Sequence, residues 1–96
     1  MIIGVLQVEL MIDDAESLKG KRSVVKSLKD RLHREHQVSV AEVDKQDVLG
    51  EAVLGIVLAG SDTKYVQSTM DKLAEKLKKG KGFYLHDYDV QLLTGR

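Results

Sequence analysis

The first stretch of the chain, from Ile2 to Ile12, is apolar except for two polar residues two positions apart. The even-numbered positions of its second half are all apolar: Leu6, Val8, Leu10 and Ile12. Gln7 and Glu9 interrupt the other face. A period of two is that of a β-strand with one face in the core. The pattern therefore predicts a first strand whose even-numbered side chains face the protein interior.

The period changes to that of a helix between Ser17 and His36. Apolar residues at helical spacing form one face: Leu18, Val24, Val25, Leu28 and Leu32. Basic residues recur with the same period on the far side: Lys19, Arg22, Lys26 and Lys29, continued by His33. This predicts a long amphipathic helix. Ser17 is a favourable N-cap for it, after a polar turn over residues 13–16.

The rest of the chain alternates between the same two periods. Residues 38–44 are short and β-branched, and residues 52–59 are apolar on both faces, which is typical of a buried central strand. Ser61 and Asp62 are N-cap candidates for a second helix. Its apolar stripe comprises Val66, Met70, Leu73 and Leu77. Gly80 can end that helix in the left-handed conformation, and residues 83–93 form a last strand.

The predicted order of elements is βαββαβ, in one domain covering residues 1–96. Because each strand–helix–strand unit crosses over with the same hand, both helices fall on one face of the sheet. The prediction is therefore an α+β ferredoxin-like fold, a two-layer sandwich. Its sheet has four antiparallel strands, with the first and third strands in the centre.

The charges are balanced overall but segregated along the chain, which has 15 basic and 15 acidic residues. Residues 17–36 carry seven basic and two acidic residues, and residues 63–82 carry six and two, which give local charges of +5 and +4. The segments before, between and after them are acidic. Both basic segments are predicted helices, so this pattern places positive charge on one layer of the domain.

Composition excludes several classes of protein. The chain has no Cys, so it can form neither a disulfide nor a thiolate metal site. It has no apolar run long enough to span a membrane and no basic region ahead of its first apolar stretch. We therefore expect a cytoplasmic protein without a signal peptide.

Three motifs carry a family resemblance: S-L-K-G-K-R at residues 17–22, V-S-V-A-E-V-D at 38–44 followed by Gln46 and Asp47, and D-Y-D-V at 87–90. With them the whole chain resembles the YlxP-like family of small bacterial proteins, a domain of unknown function. The resemblance implies a ferredoxin-like fold. It also implies genes that often lie beside those of translation-initiation and ribosome-maturation factors. It implies no activity and no catalytic residues.

The basic helical layer is the candidate binding surface. The residues predicted to contact phosphates of structured RNA, such as ribosomal RNA, are Lys19, Lys21, Arg22, Lys26 and Lys29 on the first helix, with Lys72, Lys76 and Lys79 on the second. Cations at a helix start are unfavourable on their own and suit a bound anion. The alternative is a solvated face, neutralised by the preceding acidic turn and by pairs such as Lys26–Asp30 and Glu75–Lys79.

The sheet face away from the helices predicts self-association. Its central strands offer no aromatic residue on which a base could stack, which argues against the RNA-binding mode of an RNA recognition motif. The predicted interface of a homodimer is Val5, Met11, Val53, Gly55 and Val57. Edge-to-edge pairing of the second strand, residues 38–43, is the alternative geometry.

Chemistry is otherwise sparse. His33 and His36 have a spacing that can share a metal, but no third ligand is indicated, so we expect surface histidines. No nucleophile motif or phosphate-binding glycine loop is present. We therefore expect a non-enzymatic adaptor without a cofactor, a metal or a small-molecule substrate. The alternative function is a protein-interaction or self-associating module with no role in nucleic-acid binding.

Overall fold

The computed structural model describes residues 1–13 and 16–95. Its six elements are β1 (Ile2–Ile12), α1 (Leu18–His36), β2 (Ser39–Asp44), β3 (Glu51–Gly60), α2 (Thr63–Lys78) and β4 (Phe83–Thr94). This confirms the predicted order, and every predicted strand boundary lies within one residue of the observed one. Asp14 and Ala15, which belong to the predicted turn, lie outside the described residues, as does Arg96.

The four strands form one antiparallel sheet in the order β2-β3-β1-β4, so β1 and β3 are central. The helices cover the face that carries the even-numbered side chains of β1 and β3. On β1 these include Leu6, Val8 and Leu10, all buried, which confirms the strand parity. The architecture is the predicted ferredoxin-like α+β sandwich.

Capping residues fix the start of both helices. The Ser17 Oγ accepts a hydrogen bond from the Gly20 N–H at 3.0 Å, and the Asp62 Oδ2 accepts one from the Tyr65 N–H at 3.2 Å. Asp62, and not Ser61, is therefore the N-cap of α2. At the other end of α1, Gln37 adopts a left-handed conformation with φ of 54° and closes the helix on the His33 carbonyl.

Gly80 does not supply the left-handed stop predicted for α2. The helix ends at Lys78, its C-cap Lys79 has φ of −107°, and the positive φ of 85° belongs to Gly82. Gly80 instead leaves room for Phe83, whose ring occupies the place that a Cβ at position 80 would need. Gly80 is thus explained by the packing of Phe83, the first residue of β4, against it.

Close packing of α2 on the sheet depends on two further glycines. A Cβ at Gly4 would lie 2.6 Å from Val66 Cγ1, and a Cβ at Gly60 would lie 2.7 Å from Val66 Cγ2. Val66 therefore rests directly on the backbones of β1 and β3. Within residues 1–13 and 16–95, neither helix is long and apolar enough to cross a membrane.

Candidate nucleic-acid interface

The two flanks of α1 face different parts of the molecule. Successive helical residues are about 100° apart, so Lys19, Arg22, Lys26 and Lys29 fall within roughly 80° of one another on one flank. His33 belongs to the same flank, and its Nδ1 lies 2.8 Å from the Val38 carbonyl just before β2. The predicted basic stripe of α1 is therefore turned toward β2 and away from α2.

The other flank of α1 faces α2. Glu35 lies on it and forms an ion pair with Lys76. Lys72 and Lys79 lie one turn before and one turn after Lys76, on the same side of α2. The predicted lysines therefore form two separate patches, with the outer ridge of α1 between them.

Lys21 is not part of any surface, which corrects its assignment as a phosphate contact. It is the one described residue with a charged side chain that is buried, at 0% exposure. It precedes Val25 by four residues and Leu28 by seven, so it lies on the apolar face of α1. Its Nζ donates to the carbonyls of Lys45 at 2.5 Å and Gln46 at 3.3 Å, so it is a structural ammonium.

Three of the other predicted contacts are engaged in ion pairs. Lys26 is paired with Asp30 at 2.7 Å, and Arg22 approaches Asp47 at 3.4 Å. The hydrogen bond from Lys26 lowers the pKa of the Asp30 carboxyl and raises the pKa of the Lys26 ammonium. Lys76 is the third, through Glu35. Lys26 and Arg22 remain exposed, so a phosphate can compete for both side chains.

The last predicted pair, Glu75–Lys79, is wrong, because Glu75 pairs with a different lysine. Glu75 binds Lys78 at 2.9 Å, and the Lys78 ammonium also lies 5.3 Å from the centre of the Tyr88 ring. Lys79 is exposed and, among the described residues, forms no ion pair. Among the described residues, Lys19, Lys72 and Lys79 are therefore the exposed cations of the predicted set without an ion pair. Lys29 has none either, but it is half-buried.

A groove beside α1 contains cations outside the set predicted from the sequence. Its lining includes Ser23, Ser27 and Arg31 from α1 and Lys81 from the connection to β4. An adjoining groove adds Arg34 and also contains Lys26, which belongs to the predicted set. Ser23, Ser27 and Arg31 recur every four residues, so the helical period could have grouped them. Lys81 could not have been grouped with them, since it lies far away in the chain.

The opposite face of the sheet is acidic on its β1–β4 side. Glu9, Asp87 and Asp89 lie there, with Glu9 directly opposite Asp87 in the β1–β4 register. A register shift after Glu9 turns Tyr84 to this face opposite Met11, where it is 62% exposed. An aromatic residue is therefore present, but on an edge strand. The acidic side chains disfavour a nucleic acid on this face.

The five residues of the predicted dimer interface differ in accessibility. Val57 and Met11 are exposed, and Val5, opposite Val57, is half-buried. Val53 is only 4% exposed, and it lines a small cavity together with Glu9 and Lys45. Gly55 is covered by Val43, whose Cγ1 would be 3.1 Å from a Cβ at position 55. Val53 and Gly55 are therefore already covered by other residues of the same chain.

His33 and His36 do not converge on a metal. His33 binds the Val38 carbonyl, whereas His36 Nε2 lies 3.1 Å from Lys76 Nζ. Partial burial and the Lys76 charge lower the pKa of His36, and the hydrogen bond from Lys76 lowers the pKa of Glu35. Across residues 1–13 and 16–95, no group of three His, Asp or Glu side chains is arranged to hold a metal ion.

Fold and surface together define a small ferredoxin-like domain with a basic helical layer and an acidic sheet face. Residues 3–90 match the family model described as a protein of unknown function, DUF503, and the chain belongs to that family. It is 31% identical over 72 residues to the uncharacterised protein YlxP of Bacillus subtilis. The aligned residues cover 75% of this chain and 78% of that protein. Neither description states an activity.

Proposed function

We propose that this protein is a non-enzymatic adaptor that binds structured RNA through the exposed cations of its helical layer. The separation of charge carries the proposal: helical segments of +5 and +4 lie on one side of a sheet whose far face holds Glu9, Asp87 and Asp89. Such a dipolar surface orients the molecule toward a polyanion. The proposed contacts are the exposed Lys19, Arg22, Lys26, Lys72 and Lys79, with the half-buried Lys29 and Lys76 in support.

Electrostatic binding of this kind falls steeply with salt, because each neutralised phosphate releases counterions. The test is fluorescence anisotropy with labelled ribosomal RNA fragments at two salt concentrations, since the family resemblance suggests that RNA first. Lys19→Ala/Arg22→Ala should weaken binding and reduce the salt slope by about one unit for each phosphate that is no longer neutralised.

A matched control separates local contacts from net charge. Gln7→Glu/Gln91→Glu lowers the net charge by the same two units but changes the open face of the sheet. We expect it to bind nearly as well as the wild type. Absence of binding at low salt, or equal effects of the two double variants, would refute the RNA proposal.

We propose, second, that the open face of the sheet forms a homodimer. The observation in favour is an apolar end of this face: Val5 pairs with Val57, and in the next row Ile3 lies between Ala59 and Leu93. Val57 is 40% exposed and Leu93 is 50% exposed. The acidic side chains lie in other rows, so two copies can overlap their apolar ends with the acids outside.

The same basic layer could bind an acidic protein instead of RNA, and a pull-down distinguishes these two kinds of partner. Capture from a lysate is performed with and without nuclease, with the Lys19→Ala/Arg22→Ala variant alongside. Loss of all captured partners after nuclease supports the RNA proposal. Partners that survive nuclease and depend on Lys19 and Arg22 would replace it with a protein-interaction function.

A further inference from the structure

The groove beside α1 combines an apolar floor with a polar, cationic rim. Val24, Leu28 and Phe83 line it and are mostly buried, so they form its floor. Ser23, Ser27 and Lys81 also line it, and all three are exposed, so they form the rim. The groove has a volume of about 320 Å³, and none of its lining residues is acidic.

Arg31 is the residue that points to a ligand. It lines this groove and the adjoining one of about 390 Å³. Its Nε is buried and has no hydrogen-bond partner among the described residues. An unpaired buried donor is unfavourable, and the planar guanidinium matches a phosphate better than a single carbonyl does. A phosphate in the groove would therefore give the Arg31 guanidinium, which lines both grooves, an acceptor that the described residues do not provide.

The charged groups around Arg31 favour the binding of an anion. Lys81 faces it across the groove, and Arg34 lines the adjoining groove one helical turn away. Asp30 also lines that second groove, but it is paired with Lys26. Glu35, four residues after Arg31, is paired with Lys76. The nearby carboxylates are thus engaged elsewhere, while the hydroxyls of Ser23 and Ser27 can donate to phosphate oxygens.

Residues around position 80 give the floor its shape. Gly80 has no Cβ, and only this lets the Phe83 ring lie against the end of α2. Gly82, with φ of 85°, turns the chain between Lys81 and Phe83. The backbone thus places a cation at the rim and an aromatic ring at the floor within three consecutive residues.

We propose that this groove binds one unpaired nucleotide of an RNA strand, with the phosphate at Arg31 and Lys81 and the base on Val24, Leu28 and Phe83. The inference rests on the proposed function and deepens it, since it names unpaired RNA as the ligand of part of the basic layer. A base within a duplex is stacked and paired, so it cannot enter the groove. Phosphates of a duplex can still meet the exposed lysines.

The test compares a ten-nucleotide single-stranded RNA with a blunt duplex of the same sequence. Ser27→Phe fills the groove without a change of charge, and its matched control is Ser68→Phe on the exposed side of α2. We expect Ser27→Phe to weaken single-strand binding at least tenfold and to change duplex binding less than twofold. Arg31→Gln should weaken single-strand binding more than Lys64→Gln, which removes the same charge from the exposed side of α2.

A measurement on the wild type does not depend on whether the variants fold. Uridine monophosphate or the single-stranded RNA is titrated into labelled protein, and amide resonances are followed by NMR. We expect the largest shifts at residues 23–31 and 81–83. Binding of RNA without these shifts, or equal losses for Ser27→Phe and Ser68→Phe, would overturn the groove inference while the RNA proposal stands. Absence of binding by either RNA would overturn both.

Discussion

The Lys21 Nζ lies 3.1 Å from the Glu42 Oε2, and the two side chains are 0% and 14% exposed. The contact is an ion pair, while the hydrogen bonds of the ammonium go to the carbonyls of Lys45 and Gln46. One lysine thus joins α1 to β2 and to the connection that follows it. Removing one member of such a buried pair leaves the other charge uncompensated.

We predict that Lys21→Met destabilises the protein by about 3–5 kcal/mol, because Glu42 and two carbonyls are left without their partner. The free energy of unfolding is measured by urea denaturation. Lys19→Met is the matched control, since Lys19 is exposed two residues earlier on the same helix, and it should change stability by less than about 0.5 kcal/mol. Similar values for the two variants would show that the buried ammonium is not a structural tie.

The pKa of His36 should lie below its ordinary value of 6.5, because partial burial and the Lys76 ammonium disfavour the imidazolium. Folding then opposes protonation, so the contribution of His36 to stability is complete above pH 6.5 and declines as the pH falls through that value toward the folded pKa. Lys76→Met should bring the His36 pKa only part of the way back to its ordinary value, since burial remains. NMR titration measures it, with Lys72→Met as a control that should leave the pKa unchanged.

Gly4→Ala should destabilise the protein by about 1–3 kcal/mol, because the new Cβ would overlap Val66 and force α2 away from β1. Gly50→Ala is the matched control: nothing lies within 4 Å of a Cβ there, so stability should hardly change. Thermal unfolding measures both. Adding Val66→Ala to Gly4→Ala should relieve the overlap. The double variant should therefore lose less stability than the two single variants lose together. Additive losses would contradict the packing argument.

Light scattering at micromolar concentration should give the mass of a dimer if the open face of the sheet is an interface. Val57→Asp should then give a monomer, because a carboxylate would be buried without a partner at the Val5–Val57 pair. Lys64→Asp on the exposed side of α2 should remain a dimer. A wild-type monomer would end the proposal, and a dimer that tolerates Val57→Asp would move the interface to the edge of β2.

Local patterns of apolar and polar residues were sufficient to predict the elements and their arrangement. The period of two in β1 and the helical period in α1 follow from the apolar positions of each element. The even-numbered positions 6–12 of β1 are buried as predicted, as are Val25, Leu28 and Leu32 of α1, whereas Leu18 and Val24 are half-buried. The hand of the crossovers then left one layer for both helices. Ser17 signalled the start of α1 directly, because an N-cap is a local interaction between residues three apart.

Contacts between elements determine which charged and apolar side chains are accessible. Lys21 shares the period of the core face of α1, but its burial depends on carbonyls from residues 45 and 46, which are distant in the chain. Val53 is buried although its strand parity turns it to the open face of the sheet, and Arg31 lines one groove with Lys81, which comes much later in the chain. Periodicity fixes the direction of a side chain relative to its own element. The neighbours that cover it come from contacts between elements, and these decide what the surface can bind.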